Sequence, residues 1–353
     1  MLTKKRYSLK NMIMWTRWET LALLIYFSIV AVLYVVFDLT FLNLPWTPIA
    51  LIGTAVAFIV GFQNNSAYGR IWEARKIWGG IVNSSRTFGM KIKGFVNNER
   101  AKTKLSEDEL NEQKRILIYR HIGWMTALRH AMRQPRSWEV IHQERTNREW
   151  LKMIHIPEKL VSLEDDLPHY LSSKECEYVF SKNNKQTAIL YLQSKHIGKL
   201  KDKGLIWEFS YLELENVLGE LFTLQGKSER IKNFPYPRQY ATLSHLFVRI
   251  FIMLIPFGII PEFAKIGGNL LESFPLLAPY FVWLAIPFGV AVSWVFHTME
   301  RIGRVGENPF EGSPNDVPIS TISRGIEIDL RQMLDEDHDK IPKQFPEEYN
   351  VQM

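Results

Sequence analysis

One cysteine, Cys176, stands in a chain of 353 residues, which excludes an intrachain disulfide framework and any metal centre built on cysteines. The signatures of common enzyme classes are missing too: no Walker phosphate loop, no GxGxxG after a strand, no HExxH and no GxSxG. Strand repeats, low-complexity tracts and internal duplications are absent as well. His121 and His130, or His142 and His155, lack any zinc-like spacing, and the run from Asp335 to Lys340 reads as a solvated acidic segment. No catalytic group, cofactor or metal is expected.

What the chain does contain is long apolar runs near its two ends, hidden by a mean hydropathy close to neutral. Leu21 to Phe37 carries no charge and meets the roughly 17 to 25 residues that a hydrocarbon core demands. No small-residue cleavage site follows it, so it reads as an anchor. A link containing Pro45 and Pro48 leads to a second run, Ile49 to Phe62. The third, Leu246 to Ile260, contains Arg249, with His245 just before it. A charge at the bilayer centre costs about 2.5 to 3.5 kcal/mol on insertion scales, so Arg249 is expected near an end, against other helices or touching water. The fourth, Ser273 to Phe296, is free of charge. Basic clusters precede the first run and follow the second and the fourth, while the first link has no Lys or Arg. This predicts a multi-pass protein of the plasma (inner) membrane with N- and C-termini cytoplasmic. The formal net charge of +6 is then a feature of topology, and no nucleic-acid partner is expected.

The pattern predicts an all-α membrane protein with four transmembrane helices continuous with a helical cytoplasmic region, more one elongated unit than two domains. Its parts are a cytoplasmic N-terminal segment (1–20), the first two spans (21–69), a cytoplasmic helical region (70–240), the last two spans (241–299) and a cytoplasmic C-terminal segment (300–353). Ser106 and Glu109 form a capping-box pattern that opens a helix ended by Pro135. Ile116, Ile118, Tyr119, Ile122, Met125, Thr126 and Leu128 give that helix an apolar side. "NREWLKMI" and "NKQTAILYLQSKHIGKL" read as shorter helices, the segment from Pro157 to Lys185 as irregular connection, and "LIWEFSYLELENVLGELFTLQGKSERIKN" as another helix.

The stretch "FIVGFQNNSAYGRIWEARKIWGG" passes from hydrocarbon-like residues into amides and then charges without a proline, as though one helix continued through both settings. "FQNNSAYGRIWEARKIWGGIVNSSR", "SERIKNFPYPRQY" and "ENPFEGSPNDVPI" resemble, in type and order, the prokaryotic branch of the bestrophin family of membrane channels. The resemblance implies a homopentamer in membrane lipid around one central pore for small inorganic ions, with a hydrophobic neck and a second constriction at the cytoplasmic end. Animal members conduct chloride and other small anions under calcium control, and some bacterial members pass cations.

By the resemblance the neck positions are Thr54, Phe58 and Phe62. Steps of four residues turn a helix by only about 40°, so the three form one stripe. Thr54 departs from the larger aliphatic common in the family, which implies a wetter outer end. Gln63, Asn64, Asn65 and Ser66 would offer dipoles at the pore entrance. Alignment back from Pro237 and Tyr240 sets the cytoplasmic aperture near Phe209, with Ile206 or Leu205 in a slipped register. On residues alone, Phe58 and Phe62 read as facing lipid or other helices, and Asn64, Asn65 and Ser66 as interhelical hydrogen-bonders. Arg70, Glu73 and Arg75 read as members of ion pairs. After Asn308, Pro309 and Phe310, the dense acidic run of the animal channels is replaced by Glu311, Gly312, Ser313, Pro314, Asn315 and then Asp316. Calcium takes six to eight oxygen ligands, so opening without calcium is expected. Two other classes fit parts of the chain: a secondary transporter using the intramembrane polar residues His245 and Arg249, and a membrane-anchored scaffold that transports nothing.

Overall fold

The computed structural model describes residues 1–139, 141 and 145–353. His142 lies outside the described residues. Regular structure among them is helical, in this order: α1 (Leu9–Val35), α2 (Trp46–Phe95), α3 (Glu107–Arg133), α4 (Arg145–Met153), α5 (Pro157–Leu160), α6 (Leu163–Asp166), α7 (Ser173–Phe180), α8 (Lys185–Asp202), α9 (Glu208–Asn233), α10 (Arg238–Asn269), α11 (Ala285–Gly306) and α12 (Ile319–Met333). Four segments are long and apolar enough to cross a membrane: Lys10–Val35, Thr40–Phe95, Arg238–Asn269 and Ala278–Gly306.

Packing divides the chain into two units, one of Lys4–Gly69 with Pro235–Glu307 and one of Met1–Thr3, Arg70–Phe234 and Asn308–Met353. The first holds α1, the early part of α2, α10 and α11. Its core gathers Phe27, Val56, Val60, Val248, Phe251 and Ile255. The Phe27 ring occupies the space where a Cβ on Gly289 would stand, so α1 and α11 approach at a residue without a side chain. Pro48 belongs to α2 and not to the preceding link, because the first turn of a helix needs no N–H donor there. Pro256 and Pro261 sit inside α10 without ending it. The fourth span starts later than expected: residues 273–277 form turns, Ala278–Leu284 a 3-10 helix, and α-helix follows from Ala285. Pro275 and Pro279 remove the N–H donors that an α-helix through this stretch would need.

The second unit is built on α3. Its capping box is formed: the Glu109 N–H donates to Ser106 Oγ at 3.2 Å, and the Ser106 N–H donates to Glu109 Oε2 at 2.8 Å. From Leu117 onward the single apolar side expected of this helix widens to burial nearly all round, with Arg120, His121, Arg129 and His130 enclosed beside Leu117, Ile122 and Leu128. The segment from Pro157 to Lys185 explains how buried cations are tolerated. It is not irregular: it holds α5, α6, the 3-10 turn Leu167–His169 and α7, and it brings carboxylates to α3. Arg129 meets Glu158 at 2.7 Å and Asp166 at 2.5 Å, and Arg120 meets Glu175 at 2.6 Å. Burial alone would raise the Glu158 carboxyl, but Arg129 and Arg133 together hold it below its ordinary value. Cys176 is buried in this unit.

Candidate functional site

In the membrane-type unit α2 carries two opposed stripes. Ile49, Gly53, Val56, Val60, Gln63 and Ala67 recur at alternating steps of four and three and are buried, the spacing of a helix–helix seam. On the other side Leu51, Thr54, Phe58, Phe62, Asn65 and Ser66 are exposed, Phe58 to 67% and Phe62 to 57%. The two Phe rings meet edge to face with centroids 4.5 Å apart, so the aromatic stripe is prearranged within a single chain. The Thr54 hydroxyl donates to the Ala50 carbonyl at 3.1 Å. Its donor is turned into its own helix, which limits the wetting that Thr54 was expected to bring.

The four expected entrance residues separate. Gln63 is buried, and its Nε2 donates to Glu307 Oε1 at 3.0 Å. Asn64 Nδ2 donates at 3.0 Å to the carbonyls of Val60 and Met299. Both amides therefore tie α2 to its own bundle, because a polar group beside packed helices needs a partner. Asn65 and Ser66 alone of the four share the exposed side. Sequence reasoning missed the aromatic wall beside them: Tyr236, Pro237 and Tyr240 join Phe58, Phe62 and Ser66 around a cavity of about 420 Å³. The signal was present in "FPYPRQY", where Pro237 is the N-cap of α10.

His245 and Arg249 also part company. His245 Nδ1 lies 3.2 Å from Glu300 Oε1, and Arg304 Nε lies 3.2 Å from the same oxygen. Arg249 is exposed on the stripe of Thr242, Leu246 and Met253, in the first half of α10, and its guanidinium makes no hydrogen bond or ion pair with another described residue. A more deeply buried cation belongs to the basic cluster after the fourth run: Arg301 Nη1 donates to the Trp15 carbonyl and to Glu19 Oε1, both at 2.9 Å.

In the α3 unit, Phe209 is 64% exposed at the start of α9 and packs edge to face on Trp207 at 4.7 Å. The Arg100 guanidinium lies 4.5 Å over the Trp207 ring. Leu205 and Ile206, the slipped-register alternatives, are buried in the core just before the helix and cannot line an opening. Arg70 donates at 3.0 Å to the carbonyls of Ile231 and Phe234, and Glu73 pairs with Arg230. Asp316 accepts from the N–H groups of Gly312 and Ser313 at 2.6 and 2.9 Å and from Ser313 Oγ at 2.6 Å. Arg133 Nη1 stands 3.8 Å away. Gly312 permits this loop by adopting φ +94, a left-handed conformation that a side chain would strain. Burial pushes the Asp316 carboxyl up, and Arg133 and Ser313 oppose that rise. His121 lies between Phe88 and Trp124, with ring centroids at 5.0 and 5.2 Å, His130 faces Asp166 at 3.3 Å, and His155 faces Glu348 at 2.8 Å. Among the described residues no three His, Cys, Asp or Glu side chains converge as a metal site.

The profile of a family described as "Bacterial/Fungal Bestrophin protein" matches residues 3–332. Over 309 residues the chain is 24% identical to the voltage-dependent anion channel-forming protein YneE of Escherichia coli (strain K12), covering 87% of this chain and 83% of that one. It is 27% identical to the voltage-dependent anion channel-forming protein RSc3414 of Ralstonia nicotianae, over 83% of this chain and 79% of that one. The fold is shared with a crystal structure of a bacterial bestrophin homologue from Klebsiella pneumoniae, at a TM-score of 0.69 and 21% identity, covering 91% of this chain and 99% of that one. With nearly the whole length accounted for by one family profile, the chain belongs to the bacterial and fungal bestrophin family.

Proposed function

We propose that the protein is a passive ion channel of the inner membrane, a homopentamer whose copies turn the α2 stripe of Thr54, Phe58 and Phe62 toward a common axis. The observation that carries this reading is the pair of exposed, mutually packed Phe rings on a helix whose other side is committed to its own bundle. Five such stripes facing one another make an apolar collar, which sheds water and blocks ions without a moving plug. Asn65 and Ser66 rehydrate an ion that leaves the collar. Phe209 forms the second constriction, at the cytoplasmic end.

A collar of this kind bears no sign, so the charge of the permeant ion is set elsewhere along the path. Small monovalent anions are the favoured cargo, because both relatives above are named as forming anion channels. Replacing Phe58 and Phe62 together by Ala widens and wets the neck. Ion efflux from liposomes should rise severalfold over wild type; unchanged efflux from correctly assembled pentamers would count against the collar. Reversal potentials across a salt gradient in a planar bilayer test the anion preference, and a shift toward the cation equilibrium potential would reverse it.

A further inference from the structure

In the α3 unit a cleft of about 700 Å³ opens between α3, α7 and α8, within the roughly 300–1,000 Å³ typical of small-ligand sites. α8 and its C-cap line it with Lys195, Lys199 and Lys203. Four-residue steps keep these three side chains on one stripe.

The other charges around the cleft are already matched. Glu112 is held by Arg115 at 2.8 Å and Glu175 by Arg120 at 2.6 Å. Arg120 is buried, and its Nη1 donates to Gln193 Oε1 at 2.9 Å and to His196 Nδ1 at 3.0 Å. His196 therefore accepts at Nδ1, and its Nε2–H donates to Gln113 Oε1 at 3.0 Å. Burial, and then the neighbouring Arg120, lower the imidazole to about 4, so the ring is neutral at neutral pH. No carboxylate of the cleft pairs with the lysines, and no hydrogen bond or ion pair joins their ammonium groups to another described residue. Like charges at four-residue spacing repel one another on a helix, and a concave wall concentrates their field.

We propose that this cleft binds a small anion bearing one or more phosphate groups, with the ammonium groups of Lys195, Lys199 and Lys203 on its phosphate oxygens and its less polar part against Ile116 and Leu192. Lysine suits this task as a flexible point charge that can follow several oxygens. The Arg120 network forms a rigid floor that has no charge left to compete. The inference is independent of ion conduction.

Isothermal titration of the detergent-solubilised full-length protein with inorganic pyrophosphate tests it. Wild type should give saturable binding. The triple substitution Lys195→Gln, Lys199→Gln and Lys203→Gln should weaken it by at least about tenfold, on the scale of three exposed charge contacts. A control triple of equal charge change outside the cleft, Lys152→Gln, Lys182→Gln and Lys227→Gln, should leave it within about twofold. Absence of saturable heat in wild type, or equal weakening by the two triples, overturns the site. Vesicles containing a phosphatidylinositol phosphate, added in competition, separate two sources of the same chemistry. Displacement of pyrophosphate points to a lipid headgroup and its absence to a free anion, and both support the phosphate site.

Discussion

At the scale of single residues, the side chain opposite decides more than residue type. Phe58 and Gln63 lie five positions apart on α2, yet one is left exposed and the other is drawn onto Glu307. His121 makes the same point with a measurable consequence. It is fully enclosed between Phe88 and Trp124, and neither ring nitrogen has a hydrogen-bond partner. Burial lowers its pKa from 6.5 to about 3. The unfolded chain therefore takes up a proton that the folded chain refuses, and stability present above pH 6.5 is lost as pH falls toward 3. By pH 5 the loss from this one residue is about 2 kcal/mol. Unfolding midpoints in detergent at neutral pH and at pH 5 should diverge more for wild type than for His121→Phe; an identical acid slope in the variant would assign the effect to other groups.

At the scale of elements, capping signals and apolar runs were readable and enclosure was not. Ser106 with Glu109 marks the start of α3, and Gln134 before Pro135 marks its end. The same reasoning failed between Pro157 and Lys185, where Ser162 caps α6 and Ser172 forms a capping box with Glu175 on helices of four and eight residues. Helices this short owe their stability to packing, so periodicity carries almost no trace of them. The all-round burial of the second half of α3 was hidden for a related reason: Arg120 and Arg129 look like a solvated face until their carboxylate partners arrive from other elements. Element packing also predicts where a small change does large harm. Gly289 lies against the Phe27 ring, so Gly289→Leu must separate α1 from α11. Overpacking of this kind costs about 1–3 kcal/mol, and it should lower both the unfolding midpoint in detergent and the yield of assembled protein. An unchanged midpoint would mean that Phe27 can swing aside.

At the scale of the whole molecule, the questions are copy number and control. The aromatic stripe of α2 and Phe209 are both left exposed by the single chain, as the proposed pentamer requires. Native mass spectrometry of the purified protein should return five times the 41.3 kDa chain, and a monomer or dimer as the sole species would exclude the shared axis. Calcium control is argued against by the loop after α11. Asp316 spends its oxygens on Gly312 and Ser313 beside the Arg133 guanidinium, whereas a calcium site needs several free carboxylates. Currents in a planar bilayer should persist in a calcium chelator; abolition by the chelator with recovery on adding calcium would overturn this.

Number and order of the apolar helices, the α2 run without a breaker and the family motifs were all written along the chain, because hydropathy, capping and local turns depend on neighbours a few residues away. Which of Gln63, Asn64, Asn65 and Ser66 face outward, why Leu205 and Ile206 are closed off, and how Arg120 silences His196 beneath a stripe of lysines depended on contacts between residues far apart in sequence. Burial and partner choice belong to pairs of elements, and no single segment encodes its own partner.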